Sequence, residues 1–390
     1  MPRQAAFLIV LALLSSTCAA FVPATLLGGG LRTAGGKGEV LGALAKGARF
    51  RPMLQQQVGR VRRGGVGGLV AAEDGLGMNE IGDLAILGAL QKLRGGMVKK
   101  RRTIHFPGCI NESYKFSCES RNFFVKINRA LGAHEMFEGE AGALQAMRYA
   151  GMSAPRPLRY GDLPHGGSYL IMDFKPFQPF LMMETTSQSA LGEQLAMMHL
   201  HQPERHQFFG FGHNTLLGTT PMDNTWSPSW ANFFVENRLR PAFELMHDRD
   251  IATPSIKEHA AAVCERAHEI LMPLDLSLRP STLHGDLWLG NAGITSDGEV
   301  SVYDPSSFYG HSEFDLAFRG WPSDHGFPGL SEAFYTAYHF HIPREQGYEE
   351  RGDLYRLFHL INHACMFGEG EYVQHVEDLC SKVLCDSMAP

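Results

Sequence analysis

Apolar residues change their spacing along the chain, and each spacing predicts an element. Ala5–Leu14 is one continuous apolar run. Within Met78–Leu93, Ile81, Leu84, Ile86, Leu87 and Leu90 recur at helical intervals. Phe123–Ile127 is a short apolar run interrupted only by Lys126, which predicts a strand. A helix follows, opening at Phe137-Glu138-Gly139-Glu140, running through Leu144 and Met147, and ending near Gly151, before Ala154-Pro155-Arg156-Pro157. Ser168–Phe174, SYLIMDF, reads as a buried strand, and Leu191–Leu200 as an amphipathic helix. Ala292–Thr295 and Glu299–Tyr303 alternate apolar and polar residues about Ser296-Asp297-Gly298, where Gly298 is free to take positive φ. That pattern predicts a β-hairpin. Helices return over Phe334–Tyr338 and Tyr348 to Gly368.

Composition narrows the class. The chain has 390 residues, 44% apolar and 19% charged, with a formal net charge of −6. It is long enough for a two-lobed domain and additional sequence. The slight acidity gives no sign of a nucleic-acid surface. The cysteines Cys18, Cys109, Cys118, Cys264, Cys365, Cys380 and Cys385 include no C-x-x-C pair and no zinc spacing with histidine, so mostly reduced thiols are expected. Met1–Ala20 has a basic start at Arg3, an apolar run too short to span a bilayer, and the small residues Cys18-Ala19-Ala20 of a cleavage site. It reads as a signal peptide, with a short membrane anchor as the alternative and no stable membrane insertion expected. From Leu26 to Val70, Arg32, Lys37, Lys46, Arg49, Arg51, Arg60, Arg62 and Arg63 face a single acid, Glu39, and no periodic apolar face appears. Residues 21–77 therefore read as a structureless transit segment. The order signal peptide, Phe21 at the cut, basic stretch resembles the bipartite presequences of algae with secondary plastids. Secretion with a disordered propeptide is the competing reading.

The candidate chemistry gathers around Leu283–His311. A hairpin holds its ends together, so the loop from His284-Gly285-Asp286 to Asn291 lies beside Asp304. Phosphotransferases of the protein-kinase type use an Asp to orient and deprotonate a substrate hydroxyl; an Asn five positions on and an Asp past the hairpin hold magnesium on ATP. Asp286 is thus the candidate base, and Asn291 and Asp304 are the candidate metal ligands. Magnesium accepts a few hard oxygen ligands and keeps waters, so one amide and one carboxylate suffice from the protein. Thr103 to Asn128 reads as a glycine-loop hairpin, in which Gly108, Cys109 and Ile110 would cover the ATP phosphates. The basic run Lys99–Arg102 before it reads as a solvated face. Lys126 is the candidate grip on the α/β-phosphates, and an acid on the next helix can pair with it. Met172, Asp173 and Phe174, at the end of the buried strand, are the candidate adenine edge.

HGDLWLGN followed by DPSSFYGHSEFDLA resembles the fructosamine-3-kinase (ketosamine-3-kinase) family. Trp288 within the loop and the D-P-S-S-F-Y-G-H-S-E run distinguish it from choline and aminoglycoside kinases. The G-C-I at Gly108–Ile110 matches the family. Its F-x-x-E-A-x-x-L pattern falls on Phe137, Glu140, Ala141 and Leu144, which selects Glu140 over Glu138 as partner of Lys126. LGEQLAMMHL, with His199 and His201 as packing or surface residues, also resembles family wording. So do the W-x-x-F-F-x-x-x-R-L helix at Trp230–Leu239 and LYRLFHLINHACMFG. The likeness runs from about Ile104 to Gly370. It departs at Arg319–Phe327, where the family tends to have a glycine-aromatic run.

The resemblance implies an α+β fold of the aminoglycoside-phosphotransferase-like kinase type. A small β-sheet lobe would occupy residues 78–174 and a larger, mainly helical lobe residues 175–390. It implies ATP and Mg2+ as cofactors, and phosphorylation of the sugar O3 of fructosamines or ribulosamines on protein lysines or small amines, leading to deglycation. Another small-molecule kinase of the aminoglycoside or choline type is the alternative; a non-catalytic nucleotide-binding protein is the second. Cys109 reads as a small residue tolerated in a tight loop; the alternative is a redox brake, in which its oxidation, to Cys118 or to a second subunit in a homodimer, distorts the phosphate loop.

A fluorescent protein carrying the first ~75 residues, the length at which the basic run ends, should label plastids in an algal cell. Label in the medium or at the cell surface would instead identify a secreted protein.

Overall fold

The computed structural model describes residues 81–94, 96–104, 111–179, 185–202, 207–319, 329–368 and 370–385. It begins with a helix, α1 (Ile81–Lys92), within the stretch whose periodicity predicts one. Five antiparallel strands follow: β1 (Val98–Ile104), β2 (Glu112–Cys118), β3 (Asn122–Asn128), β4 (Pro157–Asp162) and β5 (Ser168–Asp173), in the order β1-β2-β3-β5-β4. Helix α2 (Ala133–Tyr149) links β3 to β4. The run Lys99–Arg102 is therefore strand, not a solvated face alone. An edge strand needs only one paired side, and charges along it are tolerated there.

The two sides of this sheet are covered by different helices, and strand alternation sorts the side chains between them. Phe123, Val125 and Ile127 of β3 and Tyr169 and Ile171 of β5 pack with Ile86, Ala89 and Leu90 of α1. Leu170 and Met172 point the other way, onto Phe137, Ala141, Leu144 and Met147 of α2. Lys126 lies between Val125 and Ile127, so it must emerge on the α2 side.

The sheet ends at Asp173. The next strand, β6 (Phe177–Pro179), pairs with β10 (Ala292–Thr295), whose hairpin partner is β11 (Val300–Val302). Around this hairpin the chain is mostly helical: α3 (Thr185–Leu200), α4 (Trp230–Phe234), α5 (Arg240–Asp248), α6 (Pro254–Leu271), α7 (Glu332–His341), α8 (Tyr348–Phe367) and α9 (Gly370–Cys385). Two short ladders complete it, β7 (Thr215–Leu217) with β8 (Thr220–Met222) and β9 (Ser281–Thr282) with β12 (Tyr309–Gly310). The last helix lies beyond the stretch whose wording suggested family likeness.

Helices α3 and α7 touch at backbone range, because a Cβ on Gly192 would meet the Phe334 carbonyl at 2.2 Å. Between α4 and α5 the helix widens into a π-turn, Val235–Leu239, which carries Arg238 into the core. There its guanidinium lies 4.3 Å from the Phe308 ring and 4.6 Å from that of Phe233, and it donates to the Asp223 carbonyl at 2.6 Å. Trp230 is fully buried among aromatic rings, and its Nε1–H donates to Tyr355 Oη at 2.9 Å. Among the described residues no helix is long and apolar enough to cross a membrane.

Candidate active site

The β10–β11 hairpin brings Asp286, Asn291 and Asp304 together. The Tyr303 N–H donates to the Asn291 carbonyl at 2.9 Å, so the residue leaving the hairpin stands beside the loop that enters it. Asn291 Nδ2 donates to the Asp286 carbonyl and to Asp286 Oδ2, both at 2.9 Å. Both donors of the amide are thereby engaged, and its Oδ1 faces elsewhere. Burial pushes the Asp286 carboxyl up to about 7; the Asn291 hydrogen bond opposes this, and the nearby charges of Asp304 and Asp315 add to it. Gly285 has φ +82°, and a Cβ there would lie 2.2 Å from the Ser306 carbonyl. The loop before the base and the loop after Asp304 are thus in backbone contact, tied by the Ser306 N–H to the His284 carbonyl at 2.9 Å.

His284 fixes the backbone of Asp286. Its Nδ1 accepts from the Asp286 N–H at 3.2 Å while its Nε2–H donates to the Tyr303 carbonyl at 3.1 Å. Burial lowers its pKa, which favours the neutral ring these two bonds require. Behind it sits Asp315, which accepts from the N–H groups of His284 (2.7 Å) and Gly285 (2.8 Å) and from His199 Nε2 (3.1 Å). The Tyr338 hydroxyl in turn donates to His199 Nδ1 at 2.8 Å. Burial alone would raise the Asp315 carboxyl, but the His199 hydrogen bond and the backbone N–H of His284 hold it low. The sequence assigned no role to Asp315, and His199 was expected to pack or to face solvent. The available signal was a carboxylate inside Phe314-Asp315-Leu316-Ala317, since a charge in an apolar run must find partners.

Lys126 occupies the centre of the cleft side of the sheet. Its Nζ lies 2.6 Å from Glu140 Oε1 and 2.5 Å from Asp304 Oδ1. Glu138 lies on another face of α2, where it accepts from the Tyr160 hydroxyl at 3.0 Å. Burial would drive the proton from Lys126, yet the two carboxylates outweigh it and raise its pKa. Asp304 has φ +54°, a left-handed conformation that costs a non-glycine residue energy and clusters at functional sites. One ammonium against two carboxylates leaves this pocket with surplus negative charge. Asn291 Oδ1 and the second Asp304 oxygen are hard donors of the kind magnesium takes, so the residues present fit that ion.

The other expected positions divide. At the end of β5, the N–H groups of Asp173 and Phe174 already donate to the carbonyls of Arg156 (3.0 Å) and Asn122 (3.4 Å). The Asp173 carboxylate pairs with Arg156 and Arg121, and Met172 is buried. These two residues therefore have only carbonyls to offer a base. Lys115 Nζ stands 4.1 Å above the Phe174 ring. Gly108, Cys109 and Ile110, and the divergent residues 320–327, lie outside the described residues. Cys118 is a buried free thiol whose pKa is raised by that burial. Trp230, which opens the W-x-x-F-F stretch, is core, whereas Trp226, four residues before it, is partly exposed and stacks on Tyr309 at 6.0 Å.

Asp315→Asn replaces a buried acceptor oxygen with a donor. It should destabilise the protein by about 1–3 kcal/mol, the cost of an unsatisfied buried group, and lower kcat beyond what unfolding explains. His199→Phe should cost less, because the two backbone N–H groups keep their acceptor. Denaturant melts with parallel turnover assays decide it, and an Asp315→Asn protein as stable and active as wild type would remove the anchor role.

Comparison with known proteins supplies the family. A family model described as fructosamine kinase matches residues 86–386. The chloroplastic protein-ribulosamine 3-kinase of Arabidopsis thaliana is 37% identical over 269 residues, which cover 67% of this chain and 76% of that protein. The ketosamine-3-kinase of Mus musculus is 35% identical over 289 residues, covering 67% of this chain and 88% of that one. A crystal structure from Haemophilus somnus, described there as a fructosamine-3-kinase, superposes with a TM-score of 0.67 at 26% identity, covering 77% of this chain and 96% of that one. The fold expected from the motif wording, a sheet lobe and a helical lobe of the aminoglycoside-phosphotransferase-like type, is the one observed, and by this match the chain belongs to the fructosamine kinase family.

Proposed function

We propose that this protein is an ATP-dependent ketosamine 3-kinase, which transfers the γ-phosphoryl group of ATP to the O3 hydroxyl of a sugar joined to an amine. The observation that carries the reading is the cluster Asp286, Asn291, Asp304, Lys126 and Glu140, assembled at hydrogen-bonding distances on a chain of this family. Phosphoryl transfer asks the protein mainly for positioning and charge stabilisation. Asp286 orients the O3–H and accepts its proton as the O–P bond forms, and the bond from phosphorus to the leaving ADP oxygen breaks. Lys126, held by Glu140, binds the phosphates. Asn291 and Asp304 hold Mg2+, which when bound neutralises charge on the triphosphate.

Product chemistry explains the choice of hydroxyl. Phosphate at O3 makes a leaving group on the carbon next to the C2 carbonyl. Enolisation toward C1 creates an enaminol, whose nitrogen electron pair expels the phosphate. The resulting imine hydrolyses and frees the amine, so the glycation is removed. Glycated protein lysines and small ketoamines are both consistent acceptors. The mouse and plant relatives, named for ketosamine and ribulosamine, favour these over aminoglycosides or amino alcohols. Plastid residence is favoured by the presequence pattern and by the chloroplastic relatives.

The decisive assay is ATP-dependent phosphorylation of a ribosylated against a glucosylated lysine derivative. Turnover of either, with an amino alcohol and an aminoglycoside inert, is the expected outcome. Phosphorylation of the latter two alone would make this a different small-molecule kinase, and nucleotide binding without transfer would make it regulatory.

Asp286→Asn should reduce turnover by ~10²–10⁴-fold, the usual contribution of a positioned base, with ATP binding nearly intact. Because the carboxyl must be ionised to accept a proton, wild-type kcat/KM at limiting MgATP should fall as pH drops through about 7. The residual rate of Asp286→Asn should lack that acid limb, and its survival in the variant would assign the limb to another group.

A further inference from the structure

The two carboxylates on Lys126 come from distant parts of the chain, yet one short hairpin touches the chain within two residues of both. Strands β7 and β8 form it, with Asn214 just ahead of β7. A Cβ on Gly139 would lie 2.4 Å from the Asn214 carbonyl, and one on Gly142 would lie 3.2 Å from His213 Cδ2. Glu138 pairs with His213 at 3.5 Å. Helix α2 thus meets the hairpin along a glycine face, and Glu140 is the residue next to Gly139. On the other side, Ser306 Oγ donates to the Leu216 carbonyl. Ser306 follows Asp304 by two positions, across Pro305.

The hairpin is itself fixed. Asn224 donates from its N–H to Asn214 Oδ1 at 2.9 Å, and from Nδ2 to the His213 carbonyl at 2.9 Å and Thr215 Oγ1 at 3.1 Å. Arg238, carried inward by the π-turn, donates to Asn224 Oδ1. Thr220 Oγ1 donates to Asn362 Oδ1 of α8 at 2.6 Å. Glycine inside a helix opposes helix propensity, so its presence at Gly139 calls for a reason of packing. The contact with Asn214 is that reason. Packed interiors resist even a methyl group, so a bulkier residue there must push α2, and Glu140 with it, away from Lys126.

We infer that the hairpin Asn214–Met222 is a brace that sets the spacing of Glu140 and Asp304 about Lys126, with Gly139 and Ser306 as positioning residues for MgATP. The inference rests on the proposed role of the Lys126 cluster in binding MgATP. It adds that the small lobe takes its active geometry from a segment of the helical lobe.

The test uses the full enzyme and three single variants, Gly139→Ala, Ser306→Ala and Ser306→Thr, with the double Gly139→Ala/Ser306→Ala. The first two should raise the KM for MgATP by roughly tenfold or more, as sub-ångström misplacement does, with the KM for ribosylated lysine within about twofold. Ser306→Ala should also raise the Mg2+ concentration for half-maximal rate, and Ser306→Thr, which keeps the hydroxyl, should restore both. If one hairpin serves both sites, the double variant loses less than the product of the single losses. Helix propensity alone predicts that Gly139→Ala stabilises α2; weaker MgATP binding in a variant that melts no lower than wild type would single out positioning. The brace is overturned if both KM values rise together, if neither changes, or if the single losses multiply. Lys126→Ala separates the two levels of the argument. Unchanged MgATP binding in that variant refutes the assignment of the cluster, whereas damaged binding there beside normal Gly139→Ala and Ser306→Ala proteins refutes only the brace.

Discussion

One ammonium joins the two lobes at the site. Lys126 Nζ is held by Glu140 at 2.6 Å and Asp304 at 2.5 Å, one from the sheet lobe's own helix and one from the helical lobe's hairpin. The strength of this contact comes from burial. In a partly dry cleft an ion pair interacts more strongly than in water, and an unpaired charge costs more. With one positive and two negative charges the cluster is not neutral, and the imbalance favours the approach of a cation. The left-handed backbone of Asp304 belongs to the same logic. A conformation that costs energy in isolation persists because the surroundings over-determine it, here the Lys126 bond on one side and the Ser306 contacts on the other.

The loop that carries the candidate base depends on a different anchor. Asp286 is fixed at its N–H by His284, and the N–H groups of His284 and Gly285 are fixed by Asp315. All of these bonds run between protein groups. They convert a glycine-containing loop, which would otherwise sample many conformations, into one that presents a single carboxylate. His199 and Tyr338 continue the chain of hydrogen bonds into α3 and α7, so the loop is referenced to a helix pair packed at backbone range.

How much of this was legible in the sequence depended on distance along the chain. The β10–β11 hairpin was readable because alternation and turn chemistry are local, and with it came the neighbourhood of Asp286, Asn291 and Asp304. Lys126 was readable as a lysine interrupting an apolar strand, and the resemblance to the family's F-x-x-E-A-x-x-L wording separated Glu140 from Glu138. Asp315 was not legible, because its partners are backbone groups some thirty residues away and no spacing encodes them. The contact between Gly139 and Asn214 is equally invisible, since a glycine in a helical pattern does not say what approaches it. Strand β1 was misread because its VKKRRTI sequence lacks alternation; pairing with β2, not side-chain pattern, makes it a strand.

That edge strand has a consequence for the protein in a crowd. An open sheet edge is a template on which a second copy could add a strand, most readily while the chain is new and the helical lobe incompletely formed. The edge of this sheet carries Lys99, Lys100, Arg101 and Arg102 in succession. Two such edges meeting would bring like charges face to face at strand spacing. Of these, Lys99 and Arg102 are exposed, and like charges there oppose the meeting of two such edges, an effect that weakens as ionic strength rises.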